Sequence, residues 1–337
     1  MADFIKPGDF SQIREWMRVK HKYNFTPIPI LFEQTRKAGA KKFETYERKK
    51  KIYRNLKTAF GKEYNTKALE EIARKHFEYL ELLELTLLWP KIQDFAYSDR
   101  VNVEGLENLT HVLAAGKGAV LLTAHFGYAR LIKHLIRLQK IEAWLVGPRV
   151  EEKEKNDRST LTKLAFEKWL KMPTFSANHE NDLESTLNVR PLLRKLQQNE
   201  TLILTADGLR ASNLIEVNVL GQKIPCASGS AALARGSGAS ILPTFVVDDP
   251  ESEVGVKMVI EPPLDLAKTT DKKCDVKVNL QKFGDVFERY IREYPHMYRW
   301  AKSNFFAKRL ENSKVDVTDR YAGNFRKTNK ENVAETP

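Results

Sequence analysis

Ala119-Val120-Leu121-Leu122-Thr123-Ala124-His125-Phe126-Gly127 is the stretch on which the fold of this chain turns. Its first six residues carry no charge and are mostly apolar, the pattern of a strand buried on both faces in a parallel sheet. A histidine stands at the carboxyl end of that strand, and Gly127 permits a tight turn into the helical pattern of residues 128–139. In open α/β sheets, ligands bind outside the carboxyl ends of the strands. The imidazole of His125 is therefore expected in the ligand crevice, beside the first amide donors of a helix. Such a histidine can deprotonate an alcohol while the amides near Phe126 and Gly127, or an arginine, meet a developing oxyanion. A satisfied core histidine at a strand end fits the same residues equally well.

Working outward, short β-rich runs alternate with helical ones. Residues 101–103, 143–146, 201–205, 216–220, 241–247 and 255–260 read as strands. Residues 159–171, 189–198, 229–237 and 277–293 read as helices. This alternation predicts an α/β fold with a mostly parallel sheet flanked by helices. Upstream, Leu69, Ile72, Phe77, Leu80, Leu83 and Leu87 give residues 65–89 a helical period, which Pro90 stops. Phe10, Ile13, Trp16 and Met17 fall on one face of a short amphipathic helix, opposite Arg14, Arg18 and Lys20. That helix suits a membrane interface or packing on the protein's own body equally. Pro27 and Pro29 argue against a regular helix over residues 26–32. A polar, basic stretch follows around Arg48-Lys49-Lys50-Lys51. The chain thus divides into a basic, partly amphipathic N-terminal region (1–65), an α/β domain (66–308) and a polar, period-free tail (309–337) expected to be disordered.

Charge is concentrated at one end. The 337 residues hold 56 Lys/Arg against 44 Asp/Glu, a net charge of +12. Residues 1–75 alone hold 19 Lys/Arg against 9 Asp/Glu, so the rest of the chain is nearly neutral. A local basic excess fits an anionic partner, either a membrane surface or an acidic carrier protein, or else a solvated helix face. Nucleic acid is the weakest candidate, because no recognition motif accompanies the charge. The two cysteines, Cys226 and Cys274, cannot build a disulfide framework and suit a reducing compartment. No apolar run approaches the ~20 residues of a membrane-spanning helix. The charges within residues 1–20 exclude a signal peptide's apolar core. The protein is therefore expected to stay on the cytoplasmic side of any membrane it touches.

Four blocks then carry a resemblance. Val103-Glu104-Gly105-Leu106-Glu107-Asn108-Leu109, running through to Leu122-Thr123-Ala124-His125-Phe126-Gly127, resembles the lipid A biosynthesis lauroyl/myristoyl acyltransferases. Those enzymes belong to the lysophospholipid and glycerophosphate acyltransferase superfamily. Arg190-Pro191-Leu192-Leu193-Arg194-Lys195-Leu196, followed by the strand to Ala206 and Asp207, is similar to the family's helix and strand before its aspartate. Residues 221–235 look like the family's loop and helix, and Pro295 to Phe305 like its C-terminal "P…W…F" segment. The likeness covers roughly residues 66–306.

The resemblance implies transfer of a fatty acyl group from a thioester to a hydroxyl of a lipid or glycolipid, with His125 as general base. No cofactor is implied; the donor would be acyl carrier protein or acyl-CoA. The superfamily carries a carboxylate five residues after the histidine, to orient the ring and stabilise imidazolium. This chain has Arg130 there, and a cation would lower the basicity of a nearby histidine. Asp207, at the end of another strand, is the substitute carboxylate to expect. Arg130 is then free to bind an acceptor phosphate or the donor's phosphopantetheine. Asp207-Gly208-Leu209-Arg210 resembles the superfamily's Glu-Gly-Thr-Arg block, which contacts the acceptor, although Asp-Gly is also ordinary turn chemistry. Arg149 is the position nearest a family arginine that meets anionic substrate. Ser228-Gly229-Ser230 starts a helix whose amides could meet an anion, but it reads first as a capped helix start.

Other chemistries lack their signatures. There is no G-x-S-x-G elbow for a serine nucleophile and no metal-ligand spacing. His21, His76, His111, His134, His179 and His296 stand as isolated surface or core residues. The alternative to an enzyme is a lapsed acyltransferase that keeps the fold and binds lipid or acyl carrier protein, and Arg130 is the residue that favours it.

Overall fold

The computed structural model describes residues 26–45, 49–88, 101–148, 182–185, 189–207, 213–252 and 255–300. The expected helices over residues 10–17 and 159–171, and the polar tail, lie outside the described residues.

Seven strands form one sheet: β1 (Asn102–Glu104), β2 (Ala119–Thr123), β3 (Ala143–Pro148), β4 (Asp182–Ser185), β5 (Thr201–Thr205), β8 (Ser240–Asp248) and β9 (Val256–Ile260). Their order is β1-β9-β8-β2-β5-β3-β4. β8, β2, β5, β3 and β4 run parallel, while β9 turns antiparallel on β8 and carries β1 parallel to itself. The sheet is mostly parallel, as the alternation predicts. Every residue of β2 is buried, because the strand lies mid-sheet with both faces covered.

One strand goes elsewhere. β6 (Leu214–Val219) pairs antiparallel with β7 (Gln222–Ala227) in a separate hairpin. Leu220 and Gly221 form its turn, at φ 53° and 66°. Both angles are positive, as a tight two-residue hairpin turn requires.

Three helices precede the sheet: α1 (Ile28–Thr45), α2 (Lys49–Phe60) and α3 (Thr66–Leu88). The expectation that the prolines exclude a helix at residues 26–32 is corrected here. Pro29 sits in the first turn of α1, where an N–H has no intrahelical acceptor to lose, and Leu31 N donates to Pro27 O at 2.9 Å. α1 lies so close to α3 that a Cβ on Gly39 would come within 2.5 Å of the Glu78 Cα. Within the expected basic stretch, Lys49, Lys50 and Lys51 open α2, which is helical because Ile52, Asn55, Leu56 and Phe60 make one buried face. Asn55 Nδ2 donates to Trp300 O at 2.7 Å, and Phe60 meets the Trp300 ring edge-on at 5.8 Å. Lys50, Arg54 and Lys57 stay on the exposed side. Helices from both sides of residue 65 therefore share one core.

The remaining helices are α4 (Leu106–Ala114), α5 (Ile132–Leu138), α6 (Arg190–Gln197), α7 (Gly229–Ser237) and α8 (Lys272–Glu293). The single helix expected over residues 128–139 is instead a 3-10 turn (Ala129–Leu131) leading into α5. Tyr128 N is held by Val246 O at 2.9 Å, so the chain enters its helix late. Asp271 caps α8, accepting from the amides of Lys273 and Cys274. Among the described residues, no helix is long and apolar enough to cross a membrane.

Candidate active site

β2 and β5 are parallel neighbours, paired from Ala119↔Thr201 to Thr123↔Thr205. One further bond, Ala206 N to Thr123 O at 2.7 Å, carries the ladder past the last pair. His125 and Asp207 each lie two residues beyond that pair, so strand register brings them side by side. Asp207 Oδ1 lies 2.8 Å from His125 Nδ1 and accepts the His125 main-chain N–H at 2.8 Å. The carboxylate is 1% exposed and the histidine side chain 46% exposed. An ionised carboxylate only accepts, so Nδ1 carries the ring proton and Nε2 keeps the lone pair.

The other oxygen of Asp207 faces a different charge. Arg299 Nη1 lies 4.0 Å from Oδ2, an oxygen with no hydrogen-bond donor among the described residues. Cys226 and Tyr298 complete the surroundings. Burial, then the charge of Asp207, pushes the Cys226 thiol up to about 12. The same two causes hold the Tyr298 phenol well above its ordinary range. Both groups are neutral near pH 7, which leaves His125 and Arg299, among the described residues, as the partners that can offset the buried carboxylate.

The turn after His125 is clamped from several sides. Phe126 is fully buried and meets Phe245 and Phe287 edge-on at 5.8 and 5.7 Å. Burial of one such ring stabilises by about 1.5–3 kcal/mol, which anchors the turn in the core. Gly127 has φ +55°, and a Cβ there would lie 2.1 Å from Val246 O. Only glycine fits. Gly127 N donates to Met297 O at 3.1 Å, and Tyr79 Oη donates to Gly127 O at 2.7 Å.

The amide half of the oxyanion expectation meets amides that are already engaged. Phe126 N already donates to Ala124 O at 2.7 Å, Gly127 N to Met297 O, and His125 N to Asp207. The three amides of the turn satisfy the fold, and none is left for a substrate oxygen. Arg130 lies on the 3-10 turn, exposed, without an ion pair among the described residues. Arg149, Gly208 and Arg210 lie outside the described residues. The expected cap at Ser228 is also corrected, since its hydroxyl donates to Asn213 O at 3.2 Å rather than accepting from the helix.

Sequence reasoning passed over several residues that the structure gathers here. Arg299 sits inside the Pro295–Phe305 block, whose position was the only signal for it. Two histidines left as isolated have partners. His296 Nε2 lies 2.8 Å from Asp248 Oδ2, whose other oxygen accepts from Tyr128 Oη at 3.0 Å. His76 Nδ1 lies 2.7 Å from His296 O, and burial lowers this histidine to about 4, so its ring is neutral and Nδ1–H donates. These contacts fasten α3 and residues 295–298 to the end of β8, just behind the His125 turn.

Comparison with curated proteins gives no match. A family model does match, over residues 17–306, and its description is bacterial lipid A biosynthesis acyltransferase. That span covers most of the chain, including the sheet, both residues of the pair and the C-terminal block, and by this match the chain belongs to the bacterial lipid A biosynthesis acyltransferase family.

Proposed function

We propose that the protein is an O-acyltransferase that moves a fatty acyl group from a thioester to a hydroxyl of a lipid A precursor or related glycolipid. The observation that carries this reading is the 2.8 Å contact between His125 Nδ1 and a buried Asp207 carboxylate, on a half-exposed ring. Asp207 orients the imidazole and stabilises it once protonated, leaving Nε2 as the base. The acceptor hydroxyl oxygen attacks the thioester carbonyl carbon as its proton passes to Nε2. Collapse of the tetrahedral intermediate breaks the C–S bond. The thiolate takes the proton back from the imidazolium, giving an ester and a free thiol.

With the turn's amides engaged, the oxyanion falls to an arginine in this reading, and Arg149 is the candidate. Arg130, Gly208 and Arg210 are assigned to the acceptor, whose phosphates suit guanidinium forks. Acyl carrier protein or acyl-CoA is the donor, and no cofactor is assigned. The exposed basic face of α2 supports docking to an anionic membrane surface on the cytoplasmic side. A lapsed enzyme is the weaker reading, because the carboxylate that His125 needs is in place despite Arg130.

The test is His125→Ala with mass-spectrometric detection of acyl transfer from acyl carrier protein or CoA to a lipid A precursor. Transfer should fall by about 10²–10⁴-fold with the fold intact. A folded variant with full activity would end this mechanism.

A further inference from the structure

We infer that Arg299 is a positioning residue of the His125–Asp207 pair: it holds Asp207 as a carboxylate through the oxygen that His125 does not use, and so sets the pH at which His125 becomes a free base. The inference rests on the reading of His125 as the base. It begins from an imbalance in Asp207's contacts. Oδ1 has two donors, both from His125, while Oδ2 is buried with no hydrogen-bond donor among the described residues. A buried carboxylate left in that state would take up a proton unless another charge offset it.

Among the described residues, three elements around Asp207 offer titratable or charged groups. The turn after β2 offers His125 itself, and β7 offers Cys226, a thiol too high to carry charge near neutrality. The C-terminal segment offers Tyr298, equally neutral, and Arg299, whose Nη1 is 4.0 Å from Oδ2. Arg299 is the permanent cation of this set. Its field also reaches α3: burial raises the Tyr79 phenol, and Arg299 opposes that rise. Its side chain is 19% exposed, so solvent screens it only partly.

The consequence for His125 has a definite sign. The pair takes up its first proton on the imidazole, because Oδ1 already accepts the His125 main-chain N–H, which favours the ionised carboxylate. Arg299 disfavours that protonation by adding positive charge beside it. Removing Arg299 therefore raises the pH below which His125 is protonated. Asp207 orients the ring, and the positive charge of Arg299 opposes its protonation.

The experiment reads His125 directly, without any acyl substrate. Diethylpyrocarbonate modifies neutral imidazole, and peptide mass spectrometry measures the rate at His125 against pH in the full-length chain. In Arg299→Gln the midpoint should move up by about one pH unit, the effect of losing an adjacent opposite charge on a carboxylate pair. Below the midpoint this leaves about tenfold less free base. Arg299→Lys keeps the charge and should keep the midpoint close to the parent's. An unmoved midpoint in folded Arg299→Gln overturns the inference. So does an Arg299→Lys midpoint displaced by about a full unit, which remains decisive if the glutamine variant does not fold. A shifted midpoint in a protein that transfers no acyl group would keep Arg299's role and refute the proposed function. Transfer with an unmoved midpoint would do the reverse.

Discussion

Replacing Asp207 by Asn probes the pair most directly. Asp207 Oδ1 accepts two hydrogen bonds from His125, each 2.8 Å long. Asparagine can keep its oxygen there only by turning its NH₂ group toward the Arg299 guanidinium, so that donors face a cation. Turned the other way, it presents N–H to Nδ1, forces the proton onto Nε2 and removes the base. In either orientation the charge that stabilises imidazolium is gone. A hydrogen bond to a charged group contributes about 1.5–3 kcal/mol, so weakening or losing two amounts to at most about 3–6 kcal/mol. That corresponds to a rate loss of about 10²–10⁴-fold. The assay is single-turnover acyl transfer to a lipid A precursor, alongside a thermal melt that shows the variant is folded. The loss should appear in kcat rather than KM, because Asp207 acts on the ring and not on the acceptor. A folded Asp207→Asn protein with undiminished kcat would refute the reasoning.

Gly127→Ala places a Cβ against Val246 O at a positive φ. The left-handed conformation alone costs roughly 1–2 kcal/mol, and the clash adds more, so a melt should show a drop of several degrees together with lower activity. His76 provides a pH signature. Burial holds it neutral in the folded chain at about 4, against 6.5 for an ordinary histidine. The unfolded chain therefore binds the extra proton first, and stability falls as pH drops from about 6.5 to about 4, by about 3 kcal/mol in total. His76→Gln should flatten denaturant-unfolding stability across that window; an unchanged slope would count against the buried neutral ring. Replacing Lys50, Arg54 and Lys57 together by Ala should weaken sedimentation with anionic vesicles by roughly 3 kcal/mol at low salt, about 1 kcal/mol per basic residue near the surface. Equal binding to neutral and anionic vesicles, before and after the change, would reject an electrostatic contact.

Much of the fold is legible in local pattern. The apolar run before His125 makes a central strand because it has no polar face to show to water. The helix ending near Pro90 and the alternation of strands and helices follow from period and from breakers, which are properties of neighbouring residues. The family, too, could be read from four blocks in order. What sequence could not supply is whatever depends on which strands become neighbours. β5 lies beside β2 although 77 residues separate Thr123 from Thr201 along the chain. The sequence could name Asp207 as the candidate partner of His125, but only that pairing and its register bring the two strand ends within hydrogen-bond distance. The amides of Phe126 and Gly127 looked available in the sequence, because their acceptors, Ala124 O and Met297 O, are backbone atoms placed by the folded turn and by a segment 170 residues away. The prolines of α1 misled for a related reason: the same residue breaks a helix in its interior and starts one at its first turn, and packing against α3 decides where that turn falls. Arg299 was unreadable because its meaning lies in Asp207, a buried charge that exists as a burial only once the sheet has closed over it.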